Sequence, residues 1–381
     1  MQIKTNQSPI ITGEGMKAIK SSSIFMVTSS LLIIAISNSL FAQSTNTDTT
    51  NKSLSINGMF DMYFSKNLNN PESHINGYRN FDVTENQFDV NLAKVVFQKP
   101  AAPIGFRLDL AFGHAMDLVN SDASLGYEKS LRNIEQAYFT AVVPWGNGLT
   151  INAGKMVTHM GGEVIETASN INYSRSLLFA YAIPYFHLGV MASYPFSPQF
   201  SATFYVYNGW NNIVDNNKEK TFGAEIIWNP IPEITFIQNW IGGAEETGST
   251  KKRHVFDSII NYQTCDALFF TLNADYGQEA LYPSGYAIWK GIALTGKYQF
   301  NDKSTFGLRT EVYDDYSGFT TGSIQTLKEI TLTYEYKFSS MLLTRIEYRR
   351  DWSTIPSFED ENGVMTKDNQ NTFLIGSVIS F

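Results

Sequence analysis

The chain has one cysteine, Cys265, so no intramolecular disulfide and no cysteine-rich metal site is available to it. Nor does it contain a run of roughly eighteen apolar residues, which excludes a transmembrane helix in the mature protein. Charged residues make up only 17% of the 381, and acidic residues (36) outnumber basic ones (28). That balance speaks against nucleic acid as a partner. The five histidines (His74, His114, His159, His187, His254) are scattered, without an HExxH motif or metal-ligand spacing. Gly161-Gly162 and Gly242-Gly243 mark turns, since neither opens a phosphate-binding strand–helix unit. No plug domain or energy-coupling box precedes the first strand, which argues against a receptor-type active transporter. No catalytic, cofactor or metal residues are therefore expected.

Aromatic residues, in contrast, are abundant at 14% (27 Phe, 20 Tyr, 6 Trp). Rings lining two membrane interfaces would need such a supply, although a soluble β-protein could share it. The N-terminal region reads as an export signal. Met16-Lys17-Ala18-Ile19-Lys20 is a basic start, 24–36 an apolar core, and Ser39 to Gln43 a small-residue exit. We assign 1–15 to an upstream extension, 16–42 to a signal peptide cleaved after Ala42, 43–52 to a flexible periplasmic tail, and 53–381 to the folded body. Residues 1–43 carry Lys4, Lys17, Lys20 and Glu14, so the mature chain has 25 basic and 35 acidic residues, a net charge of −10.

From Leu54 to Phe381 the sequence alternates apolar and polar residues in about sixteen segments, each long enough for a tilted membrane strand of roughly ten residues. Ile104, Phe106, Leu108, Leu110 and Phe112 face one way; Gly105, Arg107, Asp109, Ala111 and Gly113 face the other. Leu54, Ile56, Phe60, Met62 and Phe64 alternate in the same way with Ser55, Asn57, Asp61 and Tyr63. Ile330, Leu332, Tyr334, Tyr336 and Phe338 alternate with Glu329, Thr331, Thr333, Glu335 and Lys337. Burying such charges in a dry core would cost several kcal/mol per ion, a cost that a water-filled lumen removes. The second segment changes phase near Ala93-Lys94, which points to a bulge or to a misplaced strand boundary.

The connections alternate too. Tight turns such as 99–102, 144–148, 195–198 and 301–303 follow even-numbered segments, and longer loops such as 66–85, 115–131, 158–184 and 353–370 follow odd-numbered ones. Short turns on the periplasmic side and long loops outside are the outer-membrane arrangement. The fold class expected is all-β, a transmembrane antiparallel up-and-down β-barrel of about sixteen strands with both termini periplasmic. A barrel of that width is too large for its own side chains to fill. The last strand ends on Phe381, and a terminal aromatic there suits recognition by the barrel-assembly machinery.

The longest loop, 158–176, holds Glu163, Glu166 and Arg175 before the apolar stretch 177–181. A loop with its own apolar section is expected to fold into the barrel and narrow it, the alternative being an outward loop packed on its neighbours or a plug. Arg309 with Glu311, and Arg345 with Glu347, Arg349 and Asp351, fall at i, i+2 on one face of late strands. They either orient solutes or neutralise one another in a wet wall. The candidate constriction and selectivity residues are Glu163, Glu166, Arg175, Arg107, Asp109, Arg309, Glu311, Arg345, Glu347 and Arg349.

The stretches GKMVTHMGGEVIE (154–166), NINYSRSLLF (170–179), PYFHLGV (184–190) and NGWNN (208–212) resemble those of the putative beta-barrel porin-2 (OmpL-like) family of bacterial outer-membrane proteins. NFDVTENQFDVNLAKVVFQ (80–98) and GFRLDLAFG (105–113) also fit its N-terminal half. The resemblance covers nearly the whole mature chain and is densest over 79–229. It implies an outer-membrane porin and supplies no catalytic or ligand residues. The expected function is passive diffusion of small hydrophilic solutes, with outer-membrane lipids and lipopolysaccharide as surroundings and homo-oligomers possible. Two rival readings are a surface-binding barrel with a plugged lumen and a barrel lipid hydrolase using Ser174 and His187.

Overall fold

A computed structural model describes residues 53–121, 131–281 and 283–381. The expected extension, signal peptide and tail (1–52) lie outside the described residues. In the first half of the chain the strands are β1 Ser55–Asn67, β2 Phe88–Lys99, β3 Ile104–Phe112, β4 Ile134–Val143, β5 Leu149–Val157, β6 Phe186–Ser197, β7 Phe200–Tyr207 and β8 Thr221–Ile231. There follow β9 Ile234–Ala244, β10 Lys252–Cys265, β11 Leu268–Ala280, β12 Tyr286–Gln299, β13 Ser304–Asp315, β14 Gln325–Lys337 and β15 Leu342–Ser353. A small hairpin, β16 Phe358–Glu359 and β17 Met365–Lys367, precedes the final strand β18 Asn369–Ser380.

Among the described residues, β1–β15 and β18 form one closed barrel of 16 strands, each paired with its neighbours in sequence. Every pairing is antiparallel, and the ring is sealed where β1 meets β18, from Met59 opposite Ser380 to Asn67 opposite Thr372. Gly58 and Phe381 extend the seam by exchanging two backbone hydrogen bonds of 3.0 Å. Closure leaves no unpaired edge, as a bilayer requires.

The alternation resolves into two faces. Ile104, Phe106 and Phe112 of β3 point outward, while Asp109 and Ala111 are fully buried inside. In β14, Ile330, Leu332 and Tyr334 are outward, and Glu329, Thr331 and Thr333 are buried. Rings gather on the outer rim near the short turns. Trp145 packs on Tyr194 at 5.7 Å, Tyr298 on Phe300 at 4.9 Å and Tyr336 on Phe338 at 4.9 Å. Amphipathic rings of this kind suit the boundary between hydrocarbon and headgroups.

The expected bulge exists, slightly earlier than its phase change suggested. The register shifts between Asp61 and Met62, opposite Leu92 and Val90, so Asn91 is the extra residue and both Asn91 and Leu92 are buried. The short-turn end is uniform: 198–199, 232–233 and 266–267 are its tightest connections. The other end carries 68–87, 113–133 and 158–185, but only 245–251 and 281–285 join β9 to β10 and β11 to β12. The connections at the long-loop end are therefore shortest over β9–β12. The described part of loop 113–133 includes a helix, α1 His114–Val119, whose Ala115, Met116 and Val119 are buried.

Candidate functional site

The segment between β5 and β6, residues 158–185, does not stand outside the barrel. It turns inward and crosses the lumen, with a 3-10 turn at Thr167–Ser169 and a π-helical turn at Leu178–Ala182. The entry needs glycine: Gly161 has φ +94, and a Cβ there would meet Ile183 Cδ1 at 2.4 Å. Most of the segment is irregular backbone at membrane depth, so its peptide groups need partners that hydrocarbon and dry protein do not supply.

The charged ladders of the wall supply them. Arg345, on the inner face of β15, donates to the carbonyl oxygens of Thr167 (2.7 Å), Asn170 (2.6 Å) and Asn172 (3.0 Å) while paired with Glu335 at 2.7 Å. Two residues on, Glu347 accepts the amides of Tyr173 (2.7 Å) and Ser174 (3.0 Å). Arg349 donates to the Arg175 carbonyl at 2.6 Å and pairs with Asp351 at 2.8 Å. On β13, Glu311 accepts the amides of Leu177 and Leu178, both at 2.6 Å. Arg309 holds Glu163 (2.7 Å), Glu329 (2.8 Å) and the Ser174 carbonyl (2.8 Å). Arg175 staples the segment to itself, donating to Val164 O at 2.9 Å and Ile165 O at 2.5 Å, and also to Tyr173 O.

Strands β1 and β2, across the seam from β15, bind the segment as well. Lys94 of β2 pairs with Glu166, with Asp109 at 2.9 Å and with Glu135 at 2.5 Å. The three carboxylates, whose oxygens lie within 4.8 Å of one another, could by residue type hold a metal ion, but the Lys94 ammonium sits among them. Arg107 forks onto Asp109 with bonds of 2.8 and 2.9 Å. Asp61 of β1 accepts from Thr167 (2.5 Å), Tyr173 (2.7 Å) and Asn91 (2.7 Å). At the entry, Asp257 of β10 takes the Gly161 amide at 2.6 Å, and Asn273 of β11 takes that of Gly162 at 2.9 Å. Burial alone would raise the Glu163 carboxyl, but Arg309 and the Ser176 amide hold it below the usual range. Burial likewise opposes ionisation of Glu166, and Lys94 overrides it, keeping that carboxyl low as well.

All ten residues singled out in the sequence thus come to one place, around the inward segment. Their exposure differs from a freely wetted wall: Arg309 is 0% exposed, Arg349 1%, and Arg345, Glu311, Glu347 and Arg175 2% each. Arg107 keeps some contact with the lumen. Asp61, Lys94, Glu135, Asp257 and Asn273 belong to the same set and were not anticipated. Asp61 stood on a polar face in the alternation; Lys94 sat at the phase change that obscured its facing. Ser174 and His187 serve elsewhere. Ser174 is engaged by Arg309 and Glu347, and His187 bonds Thr158 (3.1 Å) and the Gly209 carbonyl (3.0 Å) while stacked on Tyr207 at 4.0 Å.

Between the segment and the β9–β13 wall, toward the short-turn end, lies a cavity of about 800 Å³, counted with its solvent-open part. Ile237, Ile259, Phe269, Asn261, Thr271 and Thr295 line the wall side, and Val164 and Ile171 the segment side.

The family model described as "Putative beta-barrel porin-2, OmpL-like" matches residues 53–381, the whole barrel. The chain belongs to this family. It is an outer-membrane porin, a β-barrel channel for passive diffusion. Solved structures share the porin's fold at low identity. An anion-selective porin from Comamonas acidovorans is 11% identical with a TM-score of 0.61, covering 86% of this chain and 99% of that one. The outer membrane channel DcaP of Acinetobacter baumannii is 11% identical with a TM-score of 0.56, over 86% and 97%. A loop L8 deletion mutant of OmpT, an outer membrane protein of Vibrio cholerae, is 13% identical with a TM-score of 0.57, over 86% and 99%. No curated protein matches the chain.

Proposed function

We propose that this porin passes small hydrophilic solutes through a lumen narrowed by segment 158–185, and that the charged residues around the segment act chiefly by fixing it in place. The observation that carries this reading is the bonding of Arg345 and Glu347 to five peptide groups of the segment. Arg309, Glu311, Arg349, Glu166 and Arg175 have the same part, while Glu163 and Arg309 also border the cavity and Arg107 with Asp109 borders the lumen. Most of these charges are engaged on the spot, either by an opposite charge, as in Arg345–Glu335, Arg349–Asp351, Arg309–Glu163 and Lys94–Glu166, or by peptide groups, as at Glu311 and Glu347, which leaves few of them free to act on a passing ion. Selectivity then rests on size and on neutral lining groups.

Single-channel recording in planar bilayers tests the reading. A folded protein that carries no current would sink it in favour of a plugged, surface-binding barrel. Reversal potentials under a roughly tenfold KCl gradient should lie near zero, and a strong preference for either ion would count against local neutralisation. The bonds of the Ser174 hydroxyl to Arg309 and of His187 to Thr158 and the Gly209 carbonyl support the channel over the lipid-hydrolase alternative. With N- and C-termini periplasmic, the end that carries the long loops would face outward. One structural relative, OmpT of Vibrio cholerae, is described in a trimer form, and a homo-oligomer is proposed by that analogy.

A further inference from the structure

The inner face of a wet barrel is polar by default, because lumen side chains meet water. One part of this wall breaks that rule. The strand register sets Ile227 of β8 opposite Ile237 of β9, and Ile237 opposite Ile259 of β10. The three side chains form one buried apolar cluster. Phe269 of β11, also inward, continues the apolar surface toward the short turns. Across the gap stand Val164 and Ile171 of the inward segment, so the cavity has apolar surface on two opposed sides.

The rest of the lining is neutral and polar. Thr271 donates its hydroxyl to Asn261 Oδ1 at 2.7 Å, which leaves the Asn261 amide as a donor and the Thr271 oxygen as an acceptor. The Thr295 hydroxyl has no side-chain hydrogen bond among the described residues. The charged groups at the border are already used, since Glu163 and Arg309 are bonded to each other at 2.7 Å and Arg309 also to Glu329. An ion entering here would lose hydration and find no free counter-charge. A solute with apolar faces and hydroxyls around its edge would release water from the isoleucines, worth roughly 25 cal/mol per Å² covered, while keeping hydrogen bonds at its rim.

We infer that this cavity is a solute-binding site for an uncharged ring with apolar faces and a hydroxylated edge, a pyranose sugar being the chemical class that fits. The inference rests on the porin reading for the solute's way in, and names what the passage favours. Ile237, Ile259 and Phe269 contact the C–H face of the ring; Asn261, Thr271 and Thr295 meet its hydroxyls. Affinity should be on the order of millimolar, because a channel site must release what it binds.

The test uses the full mature protein, folded in detergent, with labelled methyl glucopyranoside as the probe and sorbitol as a competitor without a fixed apolar face. Saturable binding that sorbitol displaces poorly is expected, weakened at least tenfold in the double variant Ile237→Asn/Ile259→Asn. Folding of the variant is read from the heat-dependent shift of its electrophoretic mobility. In bilayers the glucoside should interrupt the KCl current of the wild type at the same concentrations. No saturable binding, equal competition by sorbitol, or unchanged affinity in the folded double variant would each overturn the inference. Absence of KCl current sinks the porin reading alone, since equilibrium binding still reads the site; a current indifferent to the glucoside sinks only the site.

Discussion

Replacing Arg345 by methionine removes the donor that three carbonyls of the inward segment share while keeping most of the side-chain volume. Arg345 is bonded to Thr167 O, Asn170 O and Asn172 O and twice to Glu335. Removing one partner of a buried charged network costs about 3–5 kcal/mol. The lower end applies here, because Glu335 keeps some contact with solvent and has Lys337 at 3.8 Å as a second partner. At about 1.4 kcal/mol per factor of ten, local opening of the segment should become at least a hundredfold more frequent. The assay is native-state hydrogen exchange of the protein in detergent or nanodiscs. Amides of Ser169, Asn170, Tyr173 and Ser174, which bond to Glu166 O, Thr167 O and Glu347, should lose protection by that factor. Amides in the β14–β15 ladder should keep theirs, because the barrel does not depend on the segment for its hydrogen bonds. Equal protection of 169–174 in the variant and wild type would refute the idea that the wall charges hold the segment. So would losses spread evenly over β14 and β15.

Deleting 160–172 should raise single-channel conductance, and unchanged conductance would show that the segment does not narrow the path. Lys94→Met leaves Asp109, Glu135 and Glu166 without their shared cation, so the melting temperature in detergent should fall, with partial recovery on adding Glu135→Gln. The lowered carboxyl of Glu163 makes its contribution to segment docking complete above its unfolded value of 4.5. That contribution is lost as pH falls through the lower folded value, so conductance should stay flat down to about pH 4.5 and become unsteady only below it; Glu163→Gln should abolish this acid step. At Gly376 of β18, a Cβ would lie 2.2 Å from the Tyr173 ring, so Gly376→Ala should push Tyr173 off Asp61 at a cost of about 1–3 kcal/mol, read as faster exchange at 173–174.

The barrel was legible because a period of two is written at nearly every strand and each boundary falls next to a turn signal. Strand β10 is typical: its inward Val255, Asp257 and Ile259 alternate with outward Phe256 and Ser258. The same period placed Arg345, Glu347, Arg349 and Asp351 on one face. It could not say what they faced, because that depends on the path of residues far away in sequence. Alternation gives a residue's side; only the fold of 158–185 shows that the side is occupied by backbone rather than by water. Lys94 was hidden for a local reason, the extra residue Asn91, which shifts the period within β2. The apolar belt went unnoticed because Ile237 and Ile259 read as ordinary strand residues until the register aligns them.

Tyr173 connects features that are otherwise separate. Its hydroxyl reaches Asp61 on β1, its amide reaches Glu347 on β15, and its ring lies over Gly376 on β18. These are the three strands on either side of the seam where the first and last strands meet. The residue can find all three partners only after the cylinder has shut. Docking of the inward segment is therefore a late event that reports closure: an open sheet inserted in the membrane would still carry an undocked segment, and the narrowed passage comes into being together with the sealed wall.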